Sequence, residues 1–470
     1  MGGWNVRKRI TVNAQERSLT RSLSWPHLMA MGVGAIVGTG ILTLIGIGAD
    51  KAGPAVLLSF LIAGFVCACA ALAYAEMAST IPASGSAYTY NYVVLGEVVA
   101  WIIGWSLILE YSLVVSAVAV SWSGYAAPLL HDWLGLPMAL MQGPHAGGVA
   151  NVPALFIILI IAGMLIIGTR KSATLNLALV VVKLSALVLF VWFALPHFNA
   201  ANLEPFNPYG FGRAMGEDGV ERGIMAAAAI IFSAFYGFDA IATAAEETKK
   251  PERDLAIGIV GSMVVCTVLY IAVAAAAIGA APVASFADSP EPLAHIMRGL
   301  GQGVAAQWIA AAAVIALPTV LLAFLFGQSR IFLGMSRDGL LPNRLAKISK
   351  RGVPAVVTVF TAIVVAFLAG IMRLDELASL ANAGTLMAFM AVGVSLIVLR
   401  VREPNRERKF KAPLWWLVGG IAIVGCIVFF FSLKSSTQLY FLLWNLFGLA
   451  LYLLWSSRNS RLAKGEESEA

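Results

Sequence analysis

The chain of 470 residues is 60% hydrophobic and only 12% charged, with a mean hydropathy of +0.84. That leaves far too little polar surface to cover a soluble globule, so its solvent is a bilayer. The net charge of +7 follows the loops rather than a patch and gives no sound reason to expect nucleic-acid binding.

About 20 mostly apolar residues cross the hydrocarbon core as a helix. Twelve such spans are predicted, starting near residues 25, 54, 98, 151, 173, 222, 255, 305, 354, 377, 413 and 437. The connections His197 to Glu221 and Ala281 to Ala305 are the longest, too short for a sizeable soluble domain. The expected fold class is therefore all-α integral membrane. One domain covers 24–456, between tails at 1–23 and 457–470. Twelve spans return both termini to one side. Of the 32 Lys and Arg residues, Lys183 lies in a span, and Lys51, Arg213, Arg222, Arg298, Arg373 and Lys434 lie on one side. All the others fall with the termini, which the positive-inside rule makes cytoplasmic. The first 23 residues are not read as a cleaved leader, because a full-length span follows without a small-residue cleavage site.

Span one carries the run GAIVGTGI from Gly34 to Ile41. Gly34 and Gly38 form a GxxxG, which by itself is a helix-packing motif. Gly40 and the intervening Thr39 raise the glycine density to a level that favours unwinding instead. In span three Glu110 sits mid-span, and in span five Lys183 does. Each costs roughly 2.5–3.5 kcal/mol at a helix centre on insertion scales, so each is expected to face the interior, in a structural ion pair or in a functional role. Span six carries a second break, FSAFYGFD from Phe232 to Asp239. Alone it reads as an aromatic core stripe, and Asp239 is evenly balanced between structure and function. Unpaired backbone groups in lipid persist only where they are buried or line a cavity. Two breaks about 200 residues apart, each in the first span of its half, therefore point to a midplane binding site of the inverted-repeat kind.

Cys67, Cys69, Cys266 and Cys426 all lie inside spans without CxxC or His partners, so neither disulfides nor zinc are expected. No GxxxxGK[ST], GxGxxG or GxSxG occurs, which argues against ATP hydrolysis, a dinucleotide site and a serine-hydrolase elbow. No cofactor, metal site or enzymatic activity is expected.

Four stretches carry a family likeness. GVGAIVGTGIL within Leu19 to Gly46 resembles helix one of the amino acid, polyamine and organocation superfamily. FYGFDAIATAAEETKKPERDLAIGI from Phe235 to Ile259 resembles the helix-six-to-seven signature of its cationic amino acid transporter family. PASGSAYTY from Pro82 to Tyr90 matches the stretch after helix two, and GQSRIFLGMSRDGLLP from Gly327 to Pro342 the end of helix eight and its loop. The likeness runs from about residue 19 to 455.

This resemblance implies a leucine-transporter-type fold, in which helices one to five and six to ten are inverted repeats and helices one and six are broken. It implies amino acid import in a bacterial inner membrane, often with protons, by alternating access. Carried over by position, the amides of Thr39 and Gly40 hold the substrate carboxylate, and the carbonyls of Ile36, Ser233, Ala234 and Tyr236 hold its amino group. Helix N-termini favour anions and C-termini cations, so one break pair suits a zwitterion. Glu110 matches a helix-three glutamate near the substrate side chain, in members that take cationic or small neutral amino acids. Lys183 matches the helix-five lysine that replaces sodium in proton-coupled members, where it clamps helix one against helix eight. Many relatives have an aromatic lid where this chain has Ser233, which leaves Phe232, Phe235 or Phe238 as alternatives for that role. Sodium-coupled, exchange-only and polyamine-carrying relatives remain open as alternatives. So do a channel, the particular amino acid, the oligomeric state and a small accessory subunit.

Overall fold

The computed structural model describes residues 23–83, 85–167, 172–216, 219–245, 248–349, 354–462 and 464. The expected tails, the Arg7 to Arg9 cluster, Ser84, Glu246 and Glu247 fall wholly or largely outside these residues.

The described chain is almost entirely helical. It opens with α1 Trp25–Ile36, α2 Thr39–Leu42, α3 Leu44–Ala52, α4 Val56–Thr80, α5 Ala87–Val94 and α6 Glu97–Leu134. Two helices follow, α7 Val152–Ile167 and α8 Ser172–Ala194, and then a two-stranded antiparallel ribbon of β1 Ala214–Met215 and β2 Glu221–Arg222. The second half runs α9 Ile224–Ile231, α10 Asp239–Thr243, α11 Pro251–Ala280, α12 Val283–Phe286, α13 Pro292–Gly299, α14 Gly303–Ala316 and α15 Pro318–Arg337. It ends with α16 Ala355–Ile371, α17 Leu374–Arg402, α18 Trp415–Phe431, α19 Ser435–Leu451 and α20 Ser457–Asn459. Proline opens α11, α13 and α15, where its missing N–H is not needed and its fixed φ suits the first turn.

Among the described residues, nine helical segments are long and apolar enough to cross a membrane, and Val152–Ile166, Ala355–Ile371 and Trp415–Phe431 are shorter apolar helices. Their outward faces keep large apolar side chains in the open, among them Phe156, Phe360, Phe367 and Leu442. Water would not tolerate such a continuous girdle, and lipid does. The protein is an integral multi-pass membrane protein.

Inside, α6 is the central post, in contact with α5, α7, α15, α16 and α17, while α11 packs on α1, α4 and α10. Small residues let those helices approach closely. At Gly258 a Cβ would lie 2.8 Å from the Leu28 Cβ, and at Gly32 it would lie 2.6 Å from the Ser262 hydroxyl.

Candidate functional site

Both glycine-rich runs interrupt their helices. After α1, Val37 is extended (φ −71°, ψ 99°) and Gly38 more so (φ −157°, ψ −140°) before the helix resumes at Thr39. After α9 a single 3-10 turn, Phe232–Ala234, leads to Gly237 at φ +120° and then to α10. Only glycine adopts that last conformation without strain.

The two interruptions lie directly against each other. A Cβ on Gly40 would run into the Cα and Cβ of Ala234, and a Cβ on Gly237 would meet the carbonyl carbon of Ala35 at 2.8 Å and the Ile36 nitrogen at 3.0 Å. Each break thus carries one glycine that the other break fills. Gly38, two positions before Gly40, instead faces a side chain of Val320 at 3.1 Å, which can give way.

A cavity opens at this crossing. Ile36, Gly38, Thr39 and Gly40 form one wall and Ser233 and Tyr236 another, while Val114 and Val118 of α6 and Val320 and Phe324 of α15 complete it. The Thr39 hydroxyl is buried and makes no hydrogen bond among the described residues. The N–H groups of Thr39 and Gly40 open a helix and have no intrahelical acceptor. The carbonyls of Ser233, Ala234 and Tyr236 accept no hydrogen bond from a loop, cap or side chain of the described residues, whereas the Ile36 carbonyl accepts one from the Tyr270 hydroxyl at 2.8 Å. Ala234 itself supports Gly40 rather than lining the space.

Two side chains brace the first break from α6. The Tyr125 hydroxyl donates to the Leu42 carbonyl at 2.6 Å, and Ser121 shares a 2.6 Å hydrogen bond with Thr43. The second break is braced by Asp239, which accepts from the Tyr111 hydroxyl at 2.6 Å and from the Gly237 amide at 3.1 Å.

Lys183 is 3% exposed, and its Nζ donates to the carbonyls of Gly34 and Val37 at 2.8 and 2.9 Å. It thereby satisfies the helix-end carbonyls of α1 that the break leaves open. No carboxylate pairs with it among the described residues, so the ion-pair alternative does not hold there. Both hydrogen bonds go to the first break, and none reaches α15.

Glu110 is fully buried, and neither of its oxygens has a hydrogen-bond partner among the described residues. It stands one helical turn before Val114, outside the cavity wall. The three phenylalanines weighed as a lid also point elsewhere in this conformation. Phe232 packs on Phe389 and Phe429, Phe235 on Phe60 and Tyr270, and Phe238 on Tyr74 and Phe389. The aromatic rings on the cavity wall are Tyr236 and Phe324, whose centroids are 6.1 Å apart.

The amino acid permease family pattern matches residues 23–454. The chain belongs to that family. The permease is 42% identical over 464 residues to the branched-chain amino acid permease BcaP of Bacillus subtilis, covering 97% of this chain and 98% of the relative. It is 39% identical to the methylthioribose transporter of the same organism, with 97% of each chain covered. Against the vacuolar cationic amino acid transporter 2 of Arabidopsis thaliana, the identity is 38% over 83% of this chain and 61% of the relative. These relatives are named as permeases and transporters, and the permease is not an enzyme. Sequence reasoning had no signal for Val114, Val118, Val320 and Phe324 in its wall, because an apolar residue facing a cavity and one facing lipid look alike.

Proposed function

We propose that this permease moves a zwitterionic amino acid with an apolar aliphatic side chain, together with protons, by alternating access around the crossing of its two helix breaks. The observation that carries the reading is that crossing, where Gly40 meets Ala234 and Gly237 meets Ala35 and Ile36 beside one cavity. The open amides of Thr39 and Gly40 suit a carboxylate. The carbonyls of Ser233, Ala234 and Tyr236, with that of Ile36, suit an ammonium group.

The walls beyond these groups support the choice of side chain. Val114, Val118, Val320 and Phe324 carry no polar atom in their side chains, and Glu110 stays outside the wall. A cationic side chain there would lose its hydration without a charged partner in the lining, whereas a branched aliphatic one would gain by burial. The name of the Bacillus relative agrees with this preference.

In this reading the three shorter apolar helices also cross, giving twelve spans. The first five and the next five form inverted repeats, and the termini face the cytoplasm of a bacterial inner membrane. Lys183 is the coupling group. Protonated, its ammonium holds the Gly34 and Val37 carbonyls through charge-assisted hydrogen bonds and keeps the first break formed; once the proton leaves, a neutral amine holds them more weakly and the break can open. Sodium-driven or exchange-only cycles are the rival readings within the family.

Thermal-shift measurements on purified protein test the substrate class, since a ligand at 100 times its Kd stabilises by about 2.7 kcal/mol. Leucine, isoleucine or valine should raise the melting temperature, while arginine and putrescine should not. A shift with arginine and none with leucine would overturn the aliphatic assignment.

A further inference from the structure

A cluster of buried charges, separate from the substrate cavity, joins α4 to α17. Glu76, near the end of α4, is fully buried. Its Oε2 accepts from Arg400 Nη2 at 2.8 Å and from the Ala412 amide at 2.7 Å. Its Oε1 lies 2.7 Å from Arg400 Nε and 3.1 Å from Arg408 Nε. The remaining donors of Arg408 go to the Glu403 and Arg406 carbonyls at 2.8 Å and to the Leu399 carbonyl at 3.3 Å. One carboxylate therefore ties together the end of α4, the end of α17 and the segment leading to α18.

The position of the cluster gives it a consequence for transport. On α17, Ala378 lines the cavity, Phe389 lies three turns further on and Arg400 three turns beyond that, about 33 Å from Ala378 along the axis. At the level of Phe389 the rings of Tyr74, Phe238 and Phe389 interlock, with centroids 5.0 to 5.6 Å apart. Going from the cavity toward the basic-loop face, the order is cavity, aromatic layer, ion cluster. α4 packs against α9 and α10 of the second break and against α3, which follows the first, and its other side meets α17, so the contact between α4 and α17 lies between the break helices and the ion cluster's far partner.

We infer that Glu76, Arg400 and Arg408 form a latch that holds the basic-loop face closed and that must come apart each time the cavity opens to that side. The inference rests on the alternating-access reading of the protein. Buried charges that lose their partners need water at once, so the latch has two states, paired and dry or parted and wet. It biases the alternation between faces without touching substrate, which makes Glu76 a positioning residue.

The test is a distance measurement between spin labels at Thr80→Cys on α4 and Val401→Cys on α17, in a background free of the four native cysteines and reconstituted in lipid. Glu76→Gln keeps an acceptor for the Ala412 amide but removes the charge. It should enlarge the long-distance population about fivefold or more, the lower end of usual coupling strengths. Arg400→Lys keeps the charge but loses the two-pronged contact, and it should give an intermediate shift. If Glu76→Gln does not fold, Arg400→Lys decides alone. A lowered melting temperature with unchanged distances would make the cluster a fold staple and overturn the latch. In the parent pair, distances unmoved by both leucine and external pH would overturn the transport reading instead.

Discussion

Gly40 is the position at which the crossing of the breaks is most exposed to a single substitution. A methyl group there falls on the Cα and Cβ of Ala234 and lies 3.0 Å from its nitrogen, so relief has to come from backbone rather than from a rotating side chain. Overpacking a close contact costs about 1–3 kcal/mol. If the breaks separate to accommodate it, that cost falls on the binding geometry and weakens the affinity by about 5- to 150-fold, at 1.4 kcal/mol per factor of ten. Gly40→Ala should therefore weaken leucine binding within that range, and Gly40→Val should abolish it, while both proteins still insert and purify as folded species. Gly163 supplies the control, since a Cβ there meets nothing within 4 Å; Gly163→Ala should bind as the parent does. Isothermal titration of the three variants in detergent measures the effect. A Kd for Gly40→Val within twofold of the parent would place the site elsewhere.

Other substitutions test the remaining parts of the site. Lys183→Ala strands the Gly34 and Val37 carbonyls, and it should stop pH-driven accumulation of leucine in proteoliposomes even where some binding persists; normal accumulation would remove Lys183 from the coupling step. Val118→Leu adds a methylene to the apolar wall, and should shift preference from leucine toward alanine by about tenfold or more, the usual worth of one methylene, as read from competition uptake. Glu110→Gln leaves the cavity wall intact, so it should alter the order of preferred amino acids less than Val118→Leu does; a larger change in that order than Val118→Leu produces would put the carboxylate in contact with substrate.

The spans were legible in the sequence because lipid demands about 20 apolar residues in a row, and the starts of the described apolar helices follow the hydrophobic runs. The interruption at Val37 and Gly38 falls within the glycine-dense run read from the sequence, where Gly40 beside the GxxxG of Gly34 and Gly38 favoured unwinding over helix packing. Lys183 could be singled out because it is the lone basic residue inside a span, although its acceptors, two carbonyls of α1, could not be read from composition. The direction of Phe232, Phe235 and Phe238 was not legible. A 3-10 turn followed by a positive φ at Gly237 breaks the 3.6-residue period from which a facing direction is argued. The Glu76 cluster was invisible for another reason: Arg400 and Arg408 sit in a basic loop whose charges also satisfy the positive-inside rule, and only the folded chain brings them to a buried carboxylate.

The most direct test of the account is leucine uptake by the unaltered permease in proteoliposomes with a defined pH difference and no sodium on either side. An inward proton gradient should drive accumulation above the external concentration, collapse of the gradient by an uncoupler should release it, and added sodium should change neither. Accumulation that requires sodium, or uptake that never exceeds equilibration unless a second amino acid is preloaded, would contradict proton coupling at Lys183.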